Sequence, residues 1–408
     1  MKVKDYNLDD TKLDDSKVFR DAIHNYIHVD QPLILDLINS KEMQRLRRIK
    51  QLGGTHLVYQ SAEHSRFCHC LGVYFIVRKM IYNSEVGKYL SDYNKLTVMC
   101  AALLHDLGHG PFSHCFEGAF GLNHEEYTVK IINGQSEVNT ILESFEKDFS
   151  KKVSSIIEKT HPNTILIQMI SSQLDADRMD YLLRDSYFTG TTYGHFDLYR
   201  ILRVMKVVDN KIVYKYSGVQ AIENYILARY HMYWQVYYHP TSRSYEQLLI
   251  CIFRRIKDLY NEGYDFGDIR YLKPFLEGEV NEVDYVKLDE SIVLYYFRLL
   301  SESDDEILAD LCERFLNRKL FIYRDLNNEE EKIKIINKFR QSGVVVRYYV
   351  VSDDQSQIPY MYYDNDDVQA IEVLVNHDLK LLPEVSEIVG AITYSSKNKI
   401  DHKIFYPE

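Results

Sequence analysis

The chain has 408 residues, roughly two to three times the size of a typical domain, so we expect at least two hydrophobic cores. Apolar residues make up 46% and charged residues 27%, the balance of an ordinary globular protein. The formal net charge of −11 argues against a nucleic-acid backbone as the main partner. An acidic protein can still bind a small anion where metal ions and nearby Arg side chains reverse the local charge.

The sequence also indicates the compartment. Residues 1–15 are charged and contain no apolar stretch of the kind found in secretory signals. No apolar run approaches the ~18 residues that a membrane span needs. The six cysteines form no CxxC pair. We therefore expect a cytoplasmic protein with reduced thiols and no membrane partner.

The first part of the chain has mainly helical periodicity. Residues 1–30 are polar with short β-branched pieces, as in a loop or small hairpin. Apolar residues then recur at three-to-four spacing, which predicts helices over residues 33–52, 67–82, 95–107, 124–134, 150–160, 164–186, 196–206 and 218–237. A short strand is predicted over residues 211–216.

The character of the chain changes after about residue 245. The helical pattern continues to residue 317, with breaks at 264–268 and 278. Segments rich in Val, Ile and Tyr then predict strands at 319–324, 343–351, 360–363, 370–375, 391–394 and 403–406. We predict a mainly α protein with an all-helical core in residues 1–245. Residues 246–408 would form an α+β region with a small β-sheet, acting in oligomerisation or regulation.

Histidine and aspartate are concentrated in four segments that could bind a metal. They are residues 64–69, 105–114, 124–125 and 175–185. Imidazole nitrogens and carboxylate oxygens are common ligands of divalent metals. Burying the adjacent pair His105-Asp106 without a partner would cost free energy, so metal binding explains the pair better than burial alone.

The fourth segment can be tested by helical geometry. On one helix, Asp177, Tyr181 and Asp185 would lie within an arc of about 80°, with Asp175 on nearly the opposite side. Asp177 is therefore the candidate metal ligand, and Asp175 is expected to cap the helix or to support the site from outside. A solvated acidic helix with an Asp180–Arg184 ion pair explains the spacing equally well.

The order His…His-Asp…Asp resembles the signature of the HD superfamily. Five sequence segments resemble those of the deoxynucleoside triphosphate (dNTP) triphosphohydrolases and their bacterial relatives. They are residues 43–54, 64–72, 104–117, 174–185 and 229–239. The resemblance covers about residues 17–245. It implies an HD-domain core and a metal-dependent hydrolysis of dNTPs to deoxynucleoside and inorganic triphosphate. The metal would be Mn²⁺, Mg²⁺, Fe²⁺, Zn²⁺ or Ni²⁺, because mixed His/Asp ligation suits each of them.

Matching positions in this family imply roles for individual residues. The metal ligands would be His69, His105, Asp106 and Asp177. The catalytic residues would be His124, Glu117 and Arg66. Glu117 would orient His124, and Arg66 would contact a phosphate. The substrate contacts would be Gln51 and Leu52 at the deoxyribose, and His109, His114, Arg178, Tyr181, Asp185, Arg229 and Tyr237 at phosphates, sugar or base. Tyr233 departs from the family, because some members have histidine there.

Some relatives of this family are activated by nucleotides that bind between subunits. Lys17, Val18, Gln44 and Arg47 resemble parts of such an effector site, although helical packing accounts for Gln44 and Arg47 almost as well. An effector site would imply a homo-oligomer, a dimer or a tetramer.

Two other functions fit parts of the sequence. One is an HD phosphohydrolase for nucleoside monophosphates, cyclic nucleotides or guanosine polyphosphates. Gln51, Leu52, Tyr181 and Asp185 favour a deoxynucleotide over these. The other is a regulatory nucleotide-binding protein with an inactive HD site, which is disfavoured because every candidate ligand and catalytic residue is present.

Overall fold

A computed structural model of the chain describes residues 6–278, 280–356, 370–395 and 400–408. Its first regular element after a short 3₁₀ turn is an antiparallel hairpin of β1 (Lys17–Asp21) and β2 (Asn25–Val29). Lys17 pairs with Val29 and Asp21 with Asn25 across the hairpin. Ile27 and Val29 are fully buried, so alternate residues of β2 attach the hairpin to the helical body.

The helical body surrounds a long internal helix. Thirteen of the 18 residues of this helix, α3 (Arg66–Asn83), are buried, as expected of a helix that packs in the interior on most of its sides. The helices of the body are α1 (Pro32–Asn39), α2 (Lys41–Arg45), α3 (Arg66–Asn83), α4 (Asp92–Leu104), α5 (His114–Phe120), α6 (His124–Asn133), α7 (Glu137–Phe145), α8 (Phe149–Ile157), α9 (Thr164–Ile170), α10 (Ala176–Thr189), α11 (Leu198–Val204) and α12 (Val219–Met232). A π-helical turn, Tyr233–Tyr237, follows α12.

The remaining helices lie in the second part of the chain. They are α13 (Pro240–Asn261), α14 (Lys273–Glu277), α15 (Glu282–Tyr285), α16 (Glu290–Leu300), α17 (Glu306–Leu316), α18 (Glu329–Gln341), α19 (Val346–Tyr349), α20 (Leu382–Val385) and α21 (Glu387–Ser395). Helix α13 passes through residue 245 without a break, and α13, α16 and α17 bury their apolar faces in one cluster with the helical body. Whether residues 1–245 and 246–408 act as separate domains therefore stays a prediction.

Two small sheets complete the fold. The strands are β3 (Met205–Val208), β4 (Lys211–Lys215), β5 (Ile322–Asp325), β6 (Val351–Ser356), β7 (Glu372–Val375), β8 (Asp378–Leu381) and β9 (Ile400–Tyr406). One sheet has the order β3-β4-β7-β8, in which β4 and β7 run parallel. The other has the order β5-β9-β6 and is antiparallel. The first sheet thus joins strands from both parts of the chain.

The structure confirms the predicted mainly helical class with small sheets near the C-terminus and corrects several elements. The predicted helix 33–52 is divided at Ser40, whose side chain caps α2. The predicted helix 164–186 is divided into α9 and α10, because Asp175 caps α10. Residues 391–394 lie in helix α21, not in a strand, and most of 343–351 is not strand. Helix α7 was not predicted, and the predicted strand 360–363 lies outside the described residues.

Candidate active site

Three helices bring the four predicted metal ligands together. His69 lies in the first turn of α3, His105 and Asp106 follow the end of α4, and Asp177 lies in the first turn of α10. Donor atoms of His69, His105 and Asp106 lie within 4.8 Å of one another. The Oδ1 atom of Asp177 is 3.0 Å from Nε2 of His69 and 3.6 Å from Nε2 of His105. Four residues from three separate segments of the sequence therefore face one point.

A hydrogen bond at Nδ1 orients each of the two imidazoles of this cluster. Nδ1 of His69 is 2.9 Å from Oδ2 of Asp180, and Nδ1 of His105 is 2.9 Å from the carbonyl oxygen of Ala102. In each case the other nitrogen, Nε2, faces the cluster. A ligand imidazole whose second nitrogen is held in this way has a fixed tautomer and ring orientation.

The charges of this cluster fit a divalent cation. Burial lowers the pKa of His69, but hydrogen bonds to Asp177 and Asp180 outweigh burial and raise it to about 10. Burial raises the pKa of Asp177, but the adjacent imidazoles of His105 and His69 outweigh burial and lower it. Nε2 of His105 is buried and has no hydrogen-bond partner. A cation at this point would replace the protons that the acidic cluster now attracts and would supply the missing partner.

A second cluster lies next to the first and contains three histidines around one carboxylate. Donor atoms of His109, His114, Glu117 and His124 lie within 4.8 Å of one another. Nδ1 of His124 is 3.0 Å from Oε2 of Glu117, and the His124 ring stacks on His109 with centroids 4.0 Å apart. Burial lowers the pKa of His124, but the hydrogen bond to Glu117 and nearby carboxylates raise it above its usual value. Glu117 therefore orients His124 and favours its protonated form.

His109 has the opposite electrostatic character. Burial and the positive charge of Arg66 lower its pKa to about 4, so its ring is neutral at physiological pH. Nε2 of His109 is 3.5 Å from Oδ1 of Asp106, which places the ring between the two clusters.

A close approach of two chain segments sets the distance between the clusters. A Cβ atom on Gly108 would lie 2.0 Å from the carbonyl oxygen of His124, so only glycine permits this contact. The amide of Gly108 donates to the hydroxyl of Thr128, which in turn donates to the carbonyl oxygen of His105. The first turns of α6 are thereby attached to the end of α4.

Both clusters open onto one cleft of about 440 Å³. Its lining contains many of the residues predicted to act in catalysis or substrate binding: Gln51, Leu52, Arg66, Asp106, His109, His114, His124, Asp177, Tyr181, Asp185 and Tyr237. The predicted common face of Asp177, Tyr181 and Asp185 on one helix is confirmed. The alternative of a solvated acidic helix is wrong, because Asp180 and Arg184 do pair but both are fully buried.

Arg66 stands between the clusters at the floor of the cleft. Its guanidinium donates to Oδ2 of Asp106 at 2.5 Å and to the hydroxyl of Ser113 at 2.8 Å. Ser113 and the preceding Phe112 have positive φ angles of 53° and 60°, a conformation that is costly for residues other than glycine. The strained loop before α5 thus presents its hydroxyl to Arg66.

Asp185 is held at the opposite wall by two partners. Its Oδ1 is 2.8 Å from Nε2 of His64, and its Oδ2 accepts a hydrogen bond from the hydroxyl of Tyr237 at 2.8 Å. The His64 ring stacks on Phe188. Asp185 and Tyr237 are therefore fixed relative to each other before any ligand binds.

Two predicted substrate contacts, Arg178 and Arg229, do not line the cleft. The guanidinium of Arg178 is held by the capping carboxylate of Asp175 and by the carbonyl oxygen of Ser172. That of Arg229 donates to the side chain of Gln173 at 3.0 Å. Their partner residues lie in the connection between α9 and α10, so neither guanidinium lines the cleft in this conformation.

The four predicted effector residues lie away from the cleft. Lys17 and Val18 are exposed at the start of β1. Nε of Arg47 donates to the side chain of Gln44 at 2.8 Å, and the Arg47 guanidinium lies over the ring of Phe67 at 3.6 Å. Packing and hydrogen bonding thus engage Gln44 and Arg47 without a nucleotide, and their role as an effector site stays a prediction.

Part of the cleft wall comes from residues that the sequence did not single out. Helix α13 contributes Tyr245 and Glu246, and β6 contributes Gln355. Burial and the nearby Asp353 raise the pKa of Glu246 to about 7. No local motif marks these residues, because they reach the cleft through the packing of the C-terminal sheet on α13.

Comparisons with known proteins agree with this geometry. Residues 66–185 match the HD domain, and residues 196–265 match an HD associated region. The uncharacterized protein YwfO of Bacillus subtilis (strain 168) is 48% identical, over 97% of this chain and 93% of its own length. The human deoxynucleoside triphosphate triphosphohydrolase SAMHD1 is 27% identical, over 97% of this chain and 66% of its own length.

A solved structure shows the same fold over nearly the whole chain. The crystal structure of a phosphohydrolase from Bacteroides thetaiotaomicron VPI-5482 matches with a TM-score of 0.85 and 28% sequence identity, covering 97% of this chain and 100% of its own. The HD domain match and the fold of this phosphohydrolase, together with a His/Asp cluster that could hold a metal ion, identify the class as an HD-type phosphohydrolase. This chain belongs to the HD-domain family of such hydrolases. Among the described residues, no helix is both long and apolar enough to cross a membrane.

Proposed function

We propose that this protein hydrolyses deoxynucleoside triphosphates to a deoxynucleoside and inorganic triphosphate. The observation that supports it most directly is the composition of the cleft onto which both clusters open. Its lining combines Asp106 and Asp177 of the His/Asp cluster with Gln51 and Leu52 and with Tyr181, Asp185 and Tyr237. The His/Asp cluster suits a phosphate group bound beside a metal, Gln51 and Leu52 suit the deoxyribose, and Tyr181, Asp185 and Tyr237 suit the sugar and the base. The relatives named as dNTP triphosphohydrolases, in Dictyostelium discoideum, chicken and human, favour the same substrate.

The metal site would be formed by His69, His105, Asp106 and Asp177. A bound divalent ion supplies Lewis-acid chemistry, since it withdraws charge from a phosphoryl oxygen. The four residues contribute two neutral imidazoles and two carboxylates, a donor set that suits Mn²⁺, Fe²⁺, Mg²⁺, Zn²⁺ or Ni²⁺. Arg66 at the cleft floor would bind and orient the triphosphate through charge-assisted hydrogen bonds.

His124 would act as the general acid. Glu117 holds Nδ1 of the His124 ring, so Nε2 remains to face the substrate. In the overall hydrolysis, the oxygen of water forms a bond to the α-phosphorus, and the bond from the α-phosphorus to O5′ of the deoxynucleoside breaks. The proton that O5′ needs would come from His124. The attacking water would return one proton to His124 and leave the other on the triphosphate, which releases it to solvent. The deoxyribose would rest against Gln51 and Leu52, where a 2′-hydroxyl would be excluded.

The remaining parts of the proposal concern regulation and context. Lys17, Val18, Gln44 and Arg47 would form part of a nucleotide effector site between subunits of a homodimer or homotetramer. The protein would work in the cytoplasm, where dNTPs are made and used. Residues 246–408 would control access to the cleft, because Gln355 lies in its wall.

Product analysis tests the proposal directly. The purified protein, supplied with Mn²⁺ or Mg²⁺, is incubated with each dNTP alone and with all four together. We expect deoxynucleoside and triphosphate in equal amounts, and none from a His105→Ala/Asp106→Ala variant. Activity only in mixtures would support the effector site. Cleavage of monophosphates, cyclic nucleotides or guanosine polyphosphates but of no dNTP would contradict the proposal and move the protein to another class of HD phosphohydrolase.

A further inference from the structure

The turn of the N-terminal hairpin reaches into the protein behind the metal-ligand cluster. His24, in the turn between β1 and β2, is 7% exposed. Its ring stacks on Phe75 of α3, with centroids 4.5 Å apart and planes inclined by 24°. Its Nε2 is 2.6 Å from Oδ1 of Asp180, the residue that holds His69. The hairpin thus contacts the metal ligand through a single carboxylate.

That carboxylate has all its hydrogen-bonding positions occupied. Oδ1 of Asp180 is bound by His24 and by Nη2 of Arg184 at 3.0 Å, and Oδ2 is bound by His69 and by Nε of Arg184 at 2.8 Å. Four contacts of this kind leave the carboxylate with one orientation. The direction of the His69 ring therefore depends on the groups that hold Asp180.

Arg184 is in turn held by the same hairpin. Its Nη1 donates to Oδ2 of Asp21 at 2.8 Å. Oδ1 of Asp21 also accepts the backbone amides of Ile23 and His24, each at 2.9 Å. Asp21 therefore shapes the turn that carries His24 and anchors the guanidinium that supports Asp180.

The packing around this network leaves no room for another arrangement. A Cβ atom on Gly72 of α3 would lie 1.9 Å from Oδ1 of Asp180 and 2.5 Å from Nη2 of Arg184. Asp180 and Arg184 are both fully buried. A buried charge pair with this many fixed hydrogen bonds is costly to maintain for stability alone.

We propose that the hairpin turn is a positioning element of the metal centre. His24 and Asp21 hold Asp180 and Arg184, and Asp180 turns the His69 ring so that Nε2 faces Asp106 and Asp177. His24 and Asp21 touch neither metal nor substrate, so they are positioning residues. The inference rests on the proposed function to the extent that His69 is a metal ligand, but it does not require that the substrate is a dNTP.

Affinity for Mn²⁺ is the measurement that separates positioning from simple structural support. Metal-free protein is titrated with Mn²⁺ by equilibrium dialysis, and the His105→Ala/Asp106→Ala variant shows how much binding occurs elsewhere. Partners outside the ligand set typically change metal affinity by about 10- to 100-fold, so we expect His24→Ala to weaken Mn²⁺ binding by roughly tenfold. His24→Gln, whose amide nitrogen can replace Nε2, should restore most of the affinity.

His28→Gln is the matched control, since His28 lies on the same hairpin and its side chain is exposed. It should bind Mn²⁺ as the unmodified protein does. A folded His24→Ala protein with unchanged Mn²⁺ affinity would overturn the proposal. If His24→Ala does not fold, Asp21→Asn decides: weaker Mn²⁺ binding supports the proposal, and unchanged binding overturns it. Mn²⁺ binding that depends on His24 in a protein without dNTP hydrolysis would contradict only the proposed function.

Discussion

Three histidines around the cleft each have one ring nitrogen beside a carboxylate: His69 with Asp180, His124 with Glu117 and His64 with Asp185. The pairs have different consequences because different atoms face the cleft. In His69 and His124 the carboxylate holds Nδ1, and Nε2 is left to face the cleft. His64 instead uses Nε2 to hold the carboxylate of Asp185, which itself lines the cleft. Pairs of a histidine and a carboxylate would thus provide the proposed metal ligand and the proposed general acid, and they fix one hydrogen-bond acceptor, Asp185, in place.

The pair of His124 and Glu117 should control the pH dependence of catalysis. Glu117 helps to raise the pKa of His124, and a general acid is active below its pKa and loses activity as pH rises through it. Glu117→Gln removes the negative charge and should lower that pKa. We expect kcat to fall by about 10- to 100-fold and the loss of activity at high pH to begin at a lower pH. A series of kcat measurements across the titration range of histidine checks both effects.

A variant without the acid provides the comparison. His124→Gln should abolish the high-pH limb altogether, because the residue that titrates is gone. If kcat begins to fall at the same high pH in Glu117→Gln as in the unmodified protein, Glu117 does not set the protonation of His124.

At the scale of elements, the contact of α3 with α10 sets the positions of His69 and Asp177, two of the proposed metal ligands. Gly72 is the point of closest approach, where an added Cβ would meet Asp180 and Arg184. We expect Gly72→Ala to destabilise the protein by about 1–3 kcal/mol, the usual cost of overpacking, and to weaken Mn²⁺ binding. Urea unfolding and metal titration measure the two effects.

Gly118 in α5 is the matched control for this substitution. A Cβ atom at Gly118 would have no heavy atom within 4 Å. Because alanine is favoured over glycine within helices by about 1 kcal/mol, Gly118→Ala should leave stability unchanged or raise it. Equal effects of the two substitutions would show that the α3–α10 contact is not as tight as described.

The same elements show how far the sequence predicts the structure. Helix α10 was predicted as the carrier of Asp177, Tyr181 and Asp185 because its periodicity is local. The support of His69 by His24 was not predictable, since the residues that meet at Asp180 are separated by up to 156 positions. Residues 391–394 were predicted as strand from their β-branched composition. They are helical because tertiary packing overrides such a weak preference.

Another junction of elements, that of α13 with the β5-β9-β6 sheet, depends on one arginine. Arg243 is 1% exposed and donates to the side chain and backbone of Asp353 and to Asp401. Removing one partner of a buried pair typically costs about 3–5 kcal/mol, and we expect Arg243→Leu to fall in this range. The exposed pair of Arg270 and Asp268 is the control, and Arg270→Leu should change the free energy of unfolding far less than Arg243→Leu does. Similar free energies of unfolding for the two variants would show that Arg243 does not hold α13 to the β5-β9-β6 sheet.

At the scale of the whole molecule, residues from the 246–408 part of the chain cover the loop that precedes α5. This loop carries Ser113, whose hydroxyl binds Arg66. Phe112 packs against Phe297 and Phe315, and Phe116 packs against Phe253 and Phe275. The buried Glu290 accepts the amides of Phe112 and Lys50. The cleft therefore depends on residues far beyond the HD domain.

A chain ending at residue 245 tests this dependence. The truncation divides α13, exposes Phe112 and Phe116 to water, and removes β7 from the edge of β4. Burying one aromatic side chain is worth roughly 1.5–3 kcal/mol. The truncation uncovers many further residues of the shared core, so the total loss should reach the roughly 5–15 kcal/mol by which a domain is stable. We expect the shortened chain to aggregate or to lose Mn²⁺ binding and hydrolysis together. Circular dichroism and metal titration, with the full chain purified in parallel, provide the measurement. A shortened protein that stayed folded, oligomeric and fully active would show that residues 246–408 neither support the cleft nor control access to it.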